Sequence, residues 1–150
     1  MLARGIIYEY EDGGRYVGEW DKDASNGYGV CTGPRGHGVY EGAWEHGFQV
    51  SGVYTWPNGM KYMGPWSSNM REGTGKEERP DGTEYSGDFT HGSRGPYGVS
   101  RLPNGVYRGT WSNGAQDGEG VERYLDGGKL EYSPGLILKS HHWLNMLRLV

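Results

Sequence analysis

The sequence has little of what most domains of its size are built from. Leu, Ile, Val and Phe together make only 23 of 150 residues, a fraction that by itself points toward disorder. There is one cysteine, Cys31, so an intrachain disulfide framework is excluded and a reducing compartment is the expected setting. No run approaches the ~20 apolar residues of a membrane-spanning helix. The N-terminal MLARGII holds no apolar core long enough for a signal peptide. Basic charge is short as well. Lys and Arg number 15 against 19 Asp and Glu, net −4, so the footprint of a nucleic-acid binder is missing and no nucleic-acid partner is expected. What the chain does have is 29 Gly, 12 Tyr and 6 Trp. Disordered chains are poor in aromatics and strongly charged; this one is neither. Burial has to come from rings standing among glycines.

The glycines are periodic. Pro-x-Gly occurs at Pro34-Arg35-Gly36, Pro57-Asn58-Gly59, Pro80-Asp81-Gly82 and Pro103-Asn104-Gly105, each 23 residues from the last. Asp12-Gly13 and Asp126-Gly127 extend the beat in both directions. In phase with it runs Tyr-x-Gly-x-(Trp/Phe): Tyr16-Gly18-Trp20, Tyr40-Gly42-Trp44, Tyr62-Gly64-Trp66, Tyr85-Gly87-Phe89 and Tyr107-Gly109-Trp111. A further glycine follows nine residues after the last ring, at Gly29, Gly75, Gly98 and Gly120, and one residue early at Gly52. Five clear units and a degenerate sixth thus cover residues up to about 135, and a fixed period of this length is the mark of a repeat array.

Each piece has a mechanical reading. Residues at i, i+2 and i+4 of a strand share a face, and a glycine between two rings leaves a slot for a neighbouring backbone or ring. Pro-(Asn/Asp)-Gly fits a three-residue hairpin connection, with Gly in the left-handed position. The expected fold is all-β: an elongated, twisted antiparallel sheet of stacked hairpins, in which neighbouring units share stability. Residues 1–135 form the array. Residues 136–150, LILKSHHWLNMLRLV, lack glycine and set Trp143, Met146, Leu147 and Val150 on one helical stripe, which predicts a short C-terminal helical cap or tail over the open sheet end.

Catalytic chemistry is not written here. Gly27-Tyr28-Gly29 and Gly73-Thr74-Gly75 lack the following helix and Lys-Ser/Thr of a phosphate loop, so no cofactor is expected. His37, His46 and His91 fall in separate units, and the adjacent His141 and His142 would point apart; no metal site is expected where zinc needs three or four ligands. Cys31 has no base beside it in sequence and reads as a small half-buried filler. Glu9–Asp12 and Glu77-Glu78 read as acidic runs on solvent faces.

Tyr-x-Gly-x-Trp-x-x-Gly-x-x-x-Gly-x-Gly followed by Asp/Asn-Gly, cleanest in YRGTWSNGAQDGEG at residues 107–120, resembles the MORN repeat (membrane occupation and recognition nexus). A narrower resemblance lies in EDGGRYVGEW, GYGVCTGPRGHGVYEGAW and GFQVSGVYTWPNG, which look like the N-terminal MORN block of junctophilins. That resemblance implies a non-enzymatic module on the cytoplasmic face of the plasma membrane, helping to form junctions with endoplasmic or sarcoplasmic reticulum. Plasma-membrane lipids or membrane proteins, calcium channels among them, are the partners it implies. The chain shows neither a second repeat block nor a reticulum anchor, and it departs from the pattern at Asp23, Asn69 and Pro96, and at Pro65, which has no amide hydrogen to give a ladder.

Local chemistry adds one candidate contact. Phe48 and Trp56 stand outside the structural positions of the repeat, in the unit with the shortened spacing, and aromatics are favoured interface anchors. Filling the slot left by the missing residue is an equal use for them. The charge is less helpful: residues 1–60 carry 4 basic and 8 acidic groups and residues 61–123 carry 8 and 9, so neither half is a polybasic patch of the kind that holds an anionic leaflet. Lys61, Arg71, Arg79, Arg94, Arg101 and Arg108 would make one only if the fold aligned them. A scaffold that assembles proteins without touching lipid is the alternative.

Overall fold

In the computed structural model the backbone of residues 3–126 and 129–137 is described, with side chains over 5–125. The expected helical cap at 136–150 begins inside a strand and otherwise lies outside the described residues. All strands belong to one antiparallel sheet in chain order. They are β1 (Ala3–Glu9), β2 (Arg15–Asp21), β3 (Ala24–Thr32), β4 (Val39–Glu45), β5 (Phe48–Thr55), β6 (Lys61–Ser67), β7 (Met70–Arg71), β8 (Gly73–Glu78), β9 (Glu84–Thr90), β10 (Ser93–Leu102), β11 (Gly105–Ser112), β12 (Ala115–Asp126) and β13 (Lys129–Ile137). The two-residue β7 pairs only with β6. A single 3₁₀ turn, Pro34–Gly36, is the one helical element among the described residues. Twelve strands in line at about 4.8 Å make a sheet about 53 Å long.

Two kinds of turn alternate along its edges. Within repeats the turns are two residues long, and His46-Gly47, Ser68-Asn69, His91-Gly92 and Asn113-Gly114 hold both residues at positive φ, as type I′ requires. Between repeats, Pro57–Gly59 and Pro80–Gly82 are the expected three-residue connections: Trp56 N–H donates to Met60 O at 2.9 Å and Arg79 N–H to Thr83 O at 2.9 Å, with Gly59 and Gly82 each at φ 84°. Two connections differ. Pro34–Gly36 sits in a wider loop closed by Gly33 N–H to Gly38 O at 2.8 Å. At the fourth site Leu102 pairs directly with Gly105, so the turn is Pro103-Asn104 alone and Gly105 is strand. That glycine serves close approach, since a Cβ there would stand 2.6 Å from Arg123 O.

Across the sheet the marked glycines line up. Gly18 pairs with Gly29, Gly29 with Gly42, Gly42 with Gly52 and Gly52 with Gly64. After the step from Gly64 to Gly75, the row resumes as Gly75–Gly87–Gly98–Gly109–Gly120–Gly135. Over this furrow lie the tyrosines. Tyr16, Tyr40, Tyr62, Tyr85 and Tyr107 each cross their own glycine and donate the hydroxyl to the carbonyl three residues on, at 2.7–2.9 Å. A Cβ on Gly75 would stand 2.6 Å from the Tyr62 hydroxyl. Here glycine is required by what lies on it.

The early Gly52 also has a cause. In the β2–β3, β9–β10 and β11–β12 hairpins the return strand carries two more residues than its partner just beyond the row. In β4–β5 only Val50 is extra, between Ser51 opposite Ala43 and Gln49 opposite Trp44. The bulge is one residue shorter, so the glycine arrives one residue sooner. Pro65 leaves a different trace. The ladder breaks beside it, and the return strand of the third repeat is split into β7 and β8, as the missing donor predicts.

Candidate functional site

Among the described residues, the buried side chains lie on the furrow face. Tyr16, Tyr62 and Tyr85 are 0% exposed and Phe89 1%, although the described residues form one sheet without a second layer. The rings cover one another: from the second repeat on, each Trp or Phe of the motif packs edge-on against the tyrosine of the preceding repeat, as in Tyr16–Trp44 at 5.3 Å, Tyr62–Phe89 at 4.8 Å and Tyr85–Trp111 at 4.9 Å. Such pairs contribute about 0.5–1.5 kcal/mol beyond area burial. Burial pushes the hydroxyls of Tyr16, Tyr40, Tyr62 and Tyr85 up to about 12. Trp44 and Trp111 donate their indole N–H to Gly29 O and Gly98 O at 3.2 and 3.3 Å.

In the middle of this face sits a charge cluster that the sequence reading put elsewhere. Glu77 was expected on a solvent face and is instead 3% exposed. The reason is register: Glu77 pairs with Tyr85, so it shares the ring face, while its neighbours Lys76 and Glu78 point the other way. Arg71 donates to Glu77 Oε2 at 2.8 Å, Arg79 to Oε1 at 3.3 Å, and Arg94 also to Oε1. Burial raises the Glu77 carboxyl pKa, but the hydrogen bonds and charges of Arg94 and Arg71 outweigh it and hold it below the ordinary carboxylate value. The guanidinium of Arg71 lies 4.9 Å from the Phe89 ring and 5.6 Å from Trp56, and that of Arg94 lies 5.0 Å from Tyr85, so both are cradled by cation–π contacts. Three guanidinium groups thus converge on one carboxylate. Arg79 is the outermost, its side chain 50% exposed.

The other sequence candidates separate. Trp56 belongs to the cluster, packed on Tyr54 at 4.6 Å and under Arg71. Phe48 opens β5 and is 55% exposed, outside the ring stack. Of the six basic residues whose alignment was in question, Arg71, Arg79 and Arg94 gather, whereas Lys61, Arg101 and Arg108 fall on the opposite face by register. Cys31 is half-buried beside Tyr16 and Tyr40, and burial pushes its thiol up, away from the reactive thiolate. Beside Arg94 a hollow of about 490 Å³ is lined by Thr90, His91, Ser93, Pro96, Trp111 and Asn113. Among the described residues no three His, Cys, Asp or Glu side chains are grouped to hold a metal.

Comparison with known families fits this geometry. The model of the MORN repeat matches residues 16–38, 40–61, 62–84 and 107–129. The chain belongs to the MORN-repeat family. Every match opens on a ring tyrosine or its equivalent, at Tyr16, Tyr40, Tyr62 and Tyr107. The stretch from Tyr85 to Val106 lies outside the four matches and has Phe89 and Pro96 in place of Trp and Gly, yet its Tyr85 hydroxyl bonds Asp88 O at 2.8 Å and its glycines pair as in the other units. Similar curated proteins include alsin from Rattus norvegicus and alsin from Mus musculus, each 39% identical over 72 residues, 44% of this chain. The chain spans only 4% of the length of these relatives, so the likeness is one of repeats.

Proposed function

We propose that this MORN array is a non-enzymatic interaction module working at the cytoplasmic face of the plasma membrane, in the manner of the membrane-facing part of a junctophilin at a reticulum junction. The supporting observation is the Arg71–Arg79–Arg94 cluster. In a chain of net charge −4, three cations share a single buried carboxylate on one face. That local excess suits an anionic group, and a lipid headgroup supplies one, each added cation near an anionic leaflet contributing about 1 kcal/mol. Trp56 beside it offers the amphipathic ring favoured at membrane interfaces.

Co-sedimentation with phosphatidylcholine vesicles, with and without phosphatidylserine, over a salt series tests this. Binding to anionic vesicles at low salt, lost at high salt and weakened by Arg79→Ala, is the expected result. Arg79 is the residue to change because its exposed side chain can be removed with Glu77 still held by two arginines. No binding to anionic vesicles at low salt overturns the lipid reading.

One observation favours a second reading, a scaffold that contacts membrane proteins such as calcium channels, or other proteins, without lipid. Phe48 is a large ring left 55% exposed at a position the fold does not use. A folded Phe48→Ala variant that keeps vesicle binding but loses a protein partner supports that reading; one that unfolds sinks it.

A further inference from the structure

One face of the sheet covers itself and the other does not. The rings fill the furrow face. The back face is made by the residues that alternate with them, and among the described residues no second layer lies on it. Beside the glycine row, one row of back-face side chains runs unbroken from Val17 on β2 to Val121 on β12. It is apolar in both halves, with Val17, Val30 and Val53 in the first and Val99 and Val121 in the second. Charge divides it. Its one acid, Glu41, stands in the first half; Arg108 stands in the second, with Arg101 next to it, two residues along β10 from Val99. Glu41, Arg101 and Arg108 are all exposed. We propose that two copies of this chain stack back to back about a twofold axis that runs along the strands between β6 and β8, the first half of each back face lying on the second half of the other.

The pattern fixes the axis. Lys61 and Glu78 are cross-strand neighbours on β6 and β8, and a twofold axis between them sets each over its opposite charge in the other copy. Counting strands outward from there places β4 over β10 and β2 over β12. Glu41 then lies over the partner's Val99, between the partner's Arg101 and the partner's Arg108, and Val17 lies over the partner's Val121. Symmetry makes each contact twice. The like charges brought near one another are Arg15 and the partner's Arg123, both exposed, where such pairs matter little. Two first halves stacked on each other would instead bring Glu41 against Glu41, the arrangement that like-charge repulsion disfavours.

The area is sufficient. From β2 to β12 the row spans about 43 Å, and three rows across the strands give a width of about 20 Å. That is about 850 Å² a copy, close to the roughly 800 Å² per partner of a standard stable interface. Sheets stacked about 10 Å apart with their strands nearly aligned are the ordinary geometry of a sandwich, and an isologous contact of this kind closes at two copies.

Sedimentation velocity on the full chain, from low micromolar to hundreds of micromolar, tests this. The expected result is a mass that rises from 16.7 kDa and levels off at twice that value. Glu41→Arg alone and Arg108→Glu alone should each raise the dimer dissociation constant about tenfold or more, with far-UV circular dichroism showing the sheet intact. Glu41→Arg combined with Arg108→Glu exchanges the two charges and should recover most of the lost affinity, which a merely weakened fold would not do. A monomer at all concentrations, whatever else covers the face, overturns the proposal. So does a mass that climbs past two copies, or a dimer indifferent to the charge exchange. Arg79 and the furrow face take no part in this contact, so its failure and that of vesicle binding are separate results.

Discussion

At the scale of the residue, the molecule depends on a repeated exchange of bulk for its absence. A tyrosine is 0–2% exposed in a single-layer sheet because the glycines beneath let the ring lie flat on the backbone. Gly98→Ala places a methyl inside the Tyr85 ring, and we expect a loss of roughly 1–3 kcal/mol or more, the usual cost of overpacking, read by urea denaturation. In a Tyr85→Leu background the same change should cost much less, which a general effect of alanine on strands would not produce. The hydroxyls give a second, independent prediction. Their folded pKa values of about 12 lie above the unfolded 10.0, so the folded state keeps its protons where the unfolded chain loses them. The stability linked to these groups is complete below pH 10 and falls as pH rises through about 12. Urea midpoints should be flat from pH 8 to 9.5 and drop steeply beyond 10, with tyrosinate absorbance appearing together with unfolding. Tyrosinate absorbance growing near pH 10 in a chain still folded would contradict this.

At the scale of the element, the hairpin explains both what was legible in the sequence and what was not. Spacing alone placed the strands and the Pro57–Gly59 and Pro80–Gly82 turns, because glycine and proline act locally on φ. Glu77 was misread because facing depends on parity through the split beside Pro65, and register there is a property of two strands. The Pro103 turn was misread for the same reason, since pairing decides how many residues a turn contains. The convergence of Arg71, Arg79 and Arg94 is invisible in a charge count, as they come from β7, a turn and β10. The two-residue turns also carry a local mismatch. His91 holds φ 48° in a type I′ position that suits Asn, Asp or Gly. Its backbone N–H donates to Glu72 Oε2 at 2.8 Å, a bond any residue there retains. His91→Asn should therefore stabilise by a few tenths to about 1 kcal/mol, in the range of other turn-compatible changes, seen as a raised thermal midpoint. A β-branched His91→Val should lower it.

At the scale of the whole molecule, the buried rings fall into two groups: Tyr16, Tyr40 and Trp44 toward the N-terminus, and Tyr62, Tyr85, Phe89, Tyr107 and Trp111 beyond. Trp66 packs against both, touching Tyr40 at 6.0 Å and Tyr62 at 5.3 Å. Its indole N–H, alone among the buried side-chain polar atoms described, has no partner, while Trp44 and Trp111 bond a carbonyl of the preceding return strand. Tyr54 packs on Trp66 at 5.7 Å, and Trp66 contributes by packing alone. Repeat arrays behave as chains of nearest-neighbour couplings, and cooperativity is only as strong as the weakest interface. Removing this ring should uncouple the halves. Trp66→Ala is expected to convert one unfolding transition into two, the five-ring half outlasting the three-ring half, with a total cost in the roughly 3–5 kcal/mol range of large-to-Ala changes. Fluorescence of Trp20 and Trp44 would then change before the slower loss of sheet signal in circular dichroism. A single transition shifted to lower denaturant would mean that the backbone ladder across β5 and β6, rather than the ring, holds the two halves together.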